Sequence, residues 1–339
     1  MTGKERIYAA LAGKPVDRPA VTPIFMSWAA HHVHRTYRDY YLDAAALVEA
    51  QSTVATDFNI DQVSAISDPW REASAYGMEF DYPEEGVGKP KRLLIETPDD
   101  VAKVVPIDIE NSPRTADRIK AVAMLSERLG ATHSVLGWVE GPIAEYSDLR
   151  GVETTLMDLI DDPPMFARAC EVIIDNAIAF ARMQIEAGAD MIGVGDAAAS
   201  LISPTMYAEH VLPWERKLID GIHAAGAAVK LHICGNISRN IGHIAKTGAD
   251  IIDFDWMVPI DHARKAVGDS VVLCGNFDPA GVLLQGSPED VAAAATSCLE
   301  AGGERFILMP GCEVPPGTPE ENLRAFCPGP DCLVGKLRF

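Results

Sequence analysis

The 339 residues carry 48% apolar and 23% charged side chains, ordinary values for a globular chain with a large buried core. Lys and Arg total 29 against 49 Asp and Glu, a formal charge of −20, so the chain repels phosphate backbones and nucleic acid is not an expected partner. No run approaches the roughly 18 apolar residues of a membrane span, so no membrane association is expected. Seven scattered cysteines suit free thiols or metal ligands in a reducing compartment better than a disulfide framework.

The opening segment MTGKERIYAALAG has no apolar signal-type region and reads as a short amphipathic helix started by a Thr2/Glu5 capping box, so a cytoplasmic protein is expected. Eight short apolar or β-branched runs follow: Val21–Phe25, Phe58–Val63, His133–Trp138, Met191–Gly195, Val229–Ile233, Asp250–Phe254, Val271–Cys274 and Arg305–Met309. Their near-continuous hydrophobicity suits parallel strands buried on both faces. Between the later runs, Ser203-Pro204, Ser287-Pro288 and Thr318-Pro319 each place a hydroxyl at the N-cap and proline at the first helical position. Gly-Ala-Asp recurs before two strands, at Gly188–Asp190 and Gly248–Asp250, as one helix-to-strand joint used twice.

Strands alternating with helices imply right-handed βαβ units. Eight of them fit an α/β fold of the TIM (β/α)8 barrel type, with an insertion between the second and third strands. A doubly wound open sheet is the competitor, but no G-x-G-x-x-G follows the first strand. The expected layout is a single domain over 1–339. Residues 64–132 supply helices and a rim insertion, including an insertion or small hairpin at Asp81–Lys91, and 327–339 form a C-terminal tail. Cys327 and Cys332 in that tail lack the spacing of a zinc knuckle, Cys170 and Cys298 fall on apolar helix faces, and His31, His32 and His34 read as solvated or rim histidines.

Barrel chemistry sits at the C-terminal strand ends. These read Met26-Ser27-Trp28, Glu140-Gly141-Pro142, Asp196, His232-Ile233-Cys234-Gly235, Asp253-Phe254-Asp255, Asn276 and Gly311-Cys312-Glu313. His232 and Cys234 alternate on an extended segment and point the same way, and a barrel brings Cys312 round to the same mouth. One imidazole and two thiolates suit Zn²⁺, and three protein ligands leave a fourth position open for catalysis.

Leu231-His-Ile-Cys-Gly235 and Gly311-Cys-Glu-Val-Pro-Pro-Gly-Thr-Pro-Glu-Glu-Asn-Leu323 resemble the zinc-dependent branch of the uroporphyrinogen decarboxylase superfamily, which includes the methylcobamide:coenzyme M methyltransferases. Leu201-Ile-Ser-Pro204, His210-Val-Leu-Pro213 and Cys274-Gly-Asn-Phe-Asp-Pro279 extend the resemblance to roughly residues 1–327. It implies a TIM barrel, zinc on His232, Cys234 and Cys312, and a methyl group carried as a methylcobamide on a partner corrinoid protein. It also implies an acidic group near the open zinc position, with Asp255 the first positional candidate and Asp253 the second. Asp253 has an alternative role as a helix cap.

The decarboxylases of that superfamily carry an arginine motif after the first strand, for a polycarboxylate substrate. Here the place reads Phe25-Met-Ser-Trp-Ala-Ala-His31, with no arginine before Arg35, which disfavours decarboxylation. Met26 and Trp28 suit a flatter ligand or plain packing. The implied reaction moves methyl between a methylated corrinoid and a thiol-type acceptor, with Glu140, Asp196 and Asn276 expected to orient the acceptor or hydrogen-bond the corrinoid. Three rivals stay open at this point. One is an O- or N-demethylating enzyme that loads a corrinoid protein from a methoxyarene or methylamine. Another is methyl transfer to homocysteine. The last is a non-catalytic corrinoid-binding module, against which stands the absence of D-x-H-x-x-G.

Overall fold

A computed structural model of the chain describes residues 1–326. The strands are β1 (Gln62–Ser64), β2 (Phe80–Asp81), β3 (Lys89–Pro90), β4 (Ser134–Glu140), β5 (Met191–Gly195), β6 (Ala228–Ile233), β7 (Ile251–Phe254), β8 (Val272–Phe277) and β9 (Phe306–Pro310). Seven of them form one parallel sheet in the order β1-β4-β5-β6-β7-β8-β9. The sheet curls into a TIM-like barrel, and helices cover its outer face. β2 and β3 pair separately as an antiparallel ribbon within the long stretch between β1 and β4.

The first expected strand, Val21–Phe25, is not one: Val21 makes a single parallel bridge to Leu308. Prolines at 19 and 23 flank the contact, and a residue without an N–H cannot extend a ladder. The short segment nevertheless joins the two ends of the sheet. On one side Leu308 N donates to Ala20 O (2.9 Å) and Thr22 N to Leu308 O (3.1 Å); on the other Asp61 N donates to Val21 O (2.9 Å). The second expected strand is also displaced, because Phe58 ends the helix Ala44–Asp57 and pairing starts only at Gln62.

A buried ion pair locks this seam. Arg18 grips Asp61 with two nitrogens, at 2.6 and 2.9 Å, and Val21 N donates to Asp61 Oδ2 at 2.7 Å. Arg6 of the first helix adds a third cationic contact at 2.9 Å. Four donors from three residues converge on one inaccessible carboxylate.

The register sets one row of side chains around the lumen. Glu140 pairs with Gly195, Gly195 with His232, His232 with Asp253, and Asp253 with Cys274. Paired residues of parallel strands project to the same face. The glycines of β5 make room for a large neighbour: a Cβ at Gly193 would lie 2.2 Å from Cε3 of Trp138, and one at Gly195 2.9 Å from its Cζ2.

Asp61→Asn leaves Arg18 facing an amide and is expected to lower stability by about 3–5 kcal/mol, read as a shift in the urea midpoint. A shift no larger than that of an ordinary surface substitution would show that the seam holds without this pair.

Candidate metal centre

β6 and β9 bring three ligand-type side chains to the mouth. His232 lies on β6, Cys234 is one residue past its end, and Cys312 is two residues past the end of β9. The His232 nitrogen and the two sulfurs all lie within 4.8 Å of one another, and Cys312 Sγ is 3.9 Å from His232 Nε2. Tetrahedral zinc bonds near 2.0–2.3 Å would set such atoms about 3.5–3.8 Å apart. The donor set, one imidazole and two thiols, therefore fits zinc in number, kind and spacing. The sulfurs behave as a pair: contact with Cys312 holds the Cys234 thiol below its usual range, and the same contact, together with burial, raises Cys312.

Asp253 stands behind the imidazole. Its Oδ1 is 3.1 Å from His232 Nδ1 and its Oδ2 3.1 Å from Lys230 Nζ. Neither contact meets hydrogen-bond alignment, so both are close charge contacts. Burial opposes the imidazolium, yet Asp253 lifts His232 to about 10. The same contact directs Nε2 toward the sulfurs, the usual arrangement for a metal-ligating histidine. Asp253 thus lies on the far side of His232 from the thiols.

Asp255 ties the loops together. Its Oδ2 accepts Gly235 N (2.8 Å), just after Cys234, and its Oδ1 accepts Trp256 N (2.7 Å). Gly311 packs on it so tightly that a Cβ there would sit 2.8 Å from Asp255 Oδ1 and 2.5 Å from Trp256 N. A single carboxylate so connects the loops after β6, β7 and β9, two of which carry the cysteines.

The other expected residues divide by strand face. Glu140 lies in the lumen row, ion-paired with Arg71 and accepting Trp138 Nε1 at 3.2 Å. Burial raises its carboxyl to about 7, with Glu72 adding to the shift and Arg71 opposing it. The Trp138 ring lies 6.4 Å from that of His232, centroid to centroid. Asp196 follows lumen-facing Gly195 and so turns to the helices. There it accepts Ala144 N (2.7 Å), and burial together with nearby Glu215, which itself accepts from Tyr207, raises its carboxyl. Asn276 donates to Val258 O (2.6 Å) and Asp255 O (3.2 Å), bracing a loop.

Trp28 donates to Thr318 O (2.9 Å) and stacks on His32, whose Nε2 meets Asp57 at 2.8 Å. Met26 is half-buried beside Tyr37 Oη (3.7 Å). None of the hydrogen bonds of Asp196, Asn276 or Trp28 goes to Cys234 or Cys312. Cys170 and Cys298 are buried, and Cys327 and Cys332 lie outside the described residues. Sequence reading missed Lys230, although a charge inside the apolar run Val229–Ile233 was its signal. It also assigned no role to Glu313, whose Oε1 accepts Ser27 N at 3.2 Å and whose carboxyl burial raises to about 7.

With this geometry in hand, comparison with known proteins is direct. The uroporphyrinogen decarboxylase (URO-D) family model matches residues 2–328. The chain belongs to that family. Within it, the chain is 30% identical over 334 residues to the methylcobamide:CoM methyltransferase MtbA of Methanosarcina acetivorans, covering 95% of this chain and 96% of that protein. It is 27% identical over 336 residues to MtaA of Methanosarcina barkeri, another methylcobamide:CoM methyltransferase, covering 96% of each. A solved methyltransferase from Methanosarcina mazei shares the fold, with a TM-score of 0.83 at 23% identity over 96% of this chain and 97% of that one. Among the described residues no helix is long and apolar enough to cross a membrane.

Cys312→Ala is expected to abolish stoichiometric zinc, measured by elemental analysis of the purified chain; full retention would remove Cys312 from the ligand set. Asp196→Asn should behave differently. Burial and Glu215 raise the Asp196 carboxyl well above its ordinary value, so above about pH 4 the folded state holds a proton that the unfolded chain has lost. Stability from this group is therefore present at low pH and declines as pH rises toward the raised folded value. The asparagine variant should keep its zinc and show a flatter decline from pH 5 to 8 in thermal melts, whereas zinc loss would place Asp196 in the centre.

Proposed function

We propose that this chain is a zinc-dependent methyltransferase, built as one (β/α)8 domain, that moves a methyl group between a methylcobamide on a corrinoid protein and a thiol acceptor. The observation that carries the reading is the convergence of His232 Nε2 with the sulfurs of Cys234 and Cys312 at the barrel mouth. Support comes from relatives along nearly the whole chain that are methylcobamide:CoM methyltransferases. A cytoplasmic setting, where thiols stay reduced, suits both the cysteines and the acceptor.

His232, Cys234 and Cys312 would hold the zinc, which when bound acidifies a thiol placed in its open position. The chain's own residues do the rest. Asp253 fixes the orientation of His232. Asp255 fixes the Cys234 loop against the loops that follow β7 and β9. Trp138 and the Arg71–Glu140 pair wall the lumen beside His232 and narrow the room for water. In the transfer, the acceptor sulfur supplies the electron pair of the new S–C bond, while the pair of the broken Co–C bond stays with cobalt. Of the acidic candidates, Glu140 and Asp253 hold strand positions that face the lumen; Asp253 is engaged with His232, and Glu140 lies across the gap left by Gly195. Asp255, Asp196, Asn276 and Trp28 act as supports in this reading, and Met26 lies at the rim.

The test is turnover of free methylcobalamin with 2-mercaptoethanesulfonate, 2-mercaptoethanol and homocysteine, followed by loss of the methylcobalamin absorbance. Zinc-loaded protein should demethylate it, and chelation should abolish the reaction. Methylation of cob(I)alamin from a methoxyarene or methylamine, without thiol activity, would replace this reading with the demethylase.

A further inference from the structure

The barrel buries a lysine that packing does not require. Lys230 sits two residues before His232 on β6 and on the same face, with its side chain 2% exposed. Its ammonium lies 3.1 Å from Asp253 Oδ2 and 3.4 Å from both Thr22 Oγ1 and Met309 Sδ. Asp253 is fully buried, and its other oxygen is the one against His232 Nδ1. Methionine would fill much the same lumen volume without a desolvation cost. The charge therefore has an electrostatic reason, and the three groups form a line: ammonium, carboxylate, imidazole.

We propose that Lys230 is a positioning residue that sets the charge of the His232–Cys234–Cys312 centre, so that its open position takes an anionic thiolate in preference to a neutral donor. This rests on the zinc and thiol reading above. A divalent ion with two thiolates is neutral. Asp253 alone would make the surroundings negative before any acceptor arrived, and a third thiolate would then meet repulsion in a low-dielectric lumen. Lys230 cancels that charge while leaving Asp253 free to hold the imidazole. Across the row Arg71 faces Glu140 as well as Glu72 (3.4 Å), so neither lumen carboxylate is left without a cation beside it. An ether or amine donor gains nothing from this cancellation, whereas a thiolate does.

The test uses full-length protein loaded with Co²⁺, whose thiolate charge-transfer band reports binding of 2-mercaptoethanol, with imidazole as a neutral competitor ligand. Lys230→Met should keep its cobalt and its imidazole affinity but bind the thiol about tenfold more weakly or worse, and Lys230→Arg should restore it. Lys230→Met leaves a bare buried carboxylate and can compromise folding, so the neutral pair Lys230→Met/Asp253→Asn is measured beside it. Because Asp253 also orients His232, the pair is read as the ratio of thiol to imidazole affinity, which should return to within about threefold of wild type once the charge count is restored. Thiol and imidazole affinities falling together in Lys230→Met, or a neutral pair whose ratio is as low as that of the single variant, would overturn the proposal. A wild-type centre that takes imidazole but no thiol would instead overturn the thiol-acceptor reading itself, and this proposal with it.

Discussion

Everything at the mouth depends on the parallel register of β4 to β8. Because Glu140, Gly195, His232, Asp253 and Cys274 are matched residue for residue, their side chains stand at one height in the lumen. A slip of one residue in any pair would turn His232 or Asp253 out toward the helices. The match places the Asp253 carboxylate beside an imidazole nitrogen and leaves the other nitrogen for the sulfurs. Cys312 is separated by 80 residues from His232, yet lies 3.9 Å away, because the curl of the sheet brings the ends of β6 and β9 to one mouth although β7 and β8 lie between them.

Closure rests on very little backbone. Among the described residues the backbone link from β9 to the Asp61 end of β1 runs through Ala20–Thr22, and a three-residue contact between prolines is weak. Asp61 compensates by binding the segment's own amide and the guanidinium of Arg18 at once. Several donors on one buried carboxylate give the seam charge-assisted hydrogen bonds, stronger than the backbone contacts beside them. The site inherits its rigidity from this seam, since Thr22 also reaches Lys230 and lies 3.6 Å from Cys274.

Six of the seven long-sheet strands were legible in sequence to within a few residues, because buried parallel strands are unbroken apolar runs. The failures have separate causes. Val21–Phe25 looked like a strand by hydrophobicity, but its prolines limit pairing to one bridge. Phe58–Val63 merged a helix end with a strand start. The convergence of His232, Cys234 and Cys312 was legible, since the first two alternate and Cys312 lies just past a strand end. Side-chain direction around the mouth was not. Asp196 and Asn276 stand at strand ends like the cysteines, but one follows a lumen-facing glycine and the other is turned to loop carbonyls. Register and local backbone decide such things, and neither can be read from one sequence. The same limit left Asp253 as second choice for the open zinc position, when its partner is the remote imidazole nitrogen.

The lumen also shows why composition says so little about a site. The chain is strongly acidic as a whole, yet each carboxylate of the lumen row is met by a cation: Glu140 by Arg71, Asp253 by Lys230. Buried ion pairs seldom add net stability, because desolvation offsets most of their attraction. Two of them in the lumen row, away from the seam, therefore call for a reason other than folding. On the function proposed above, local neutrality supplies it, because a centre with two thiolates would accept a third sulfur anion only where no uncompensated negative charge is close by. Gly193 and Gly195 complete the arrangement by giving up their own side chains, so that Trp138 fills one side of the lumen and leaves the other to the imidazole and thiols. The cations, the glycines and the register thus serve one end: a small, neutral, sulfur-lined corner inside an acidic protein.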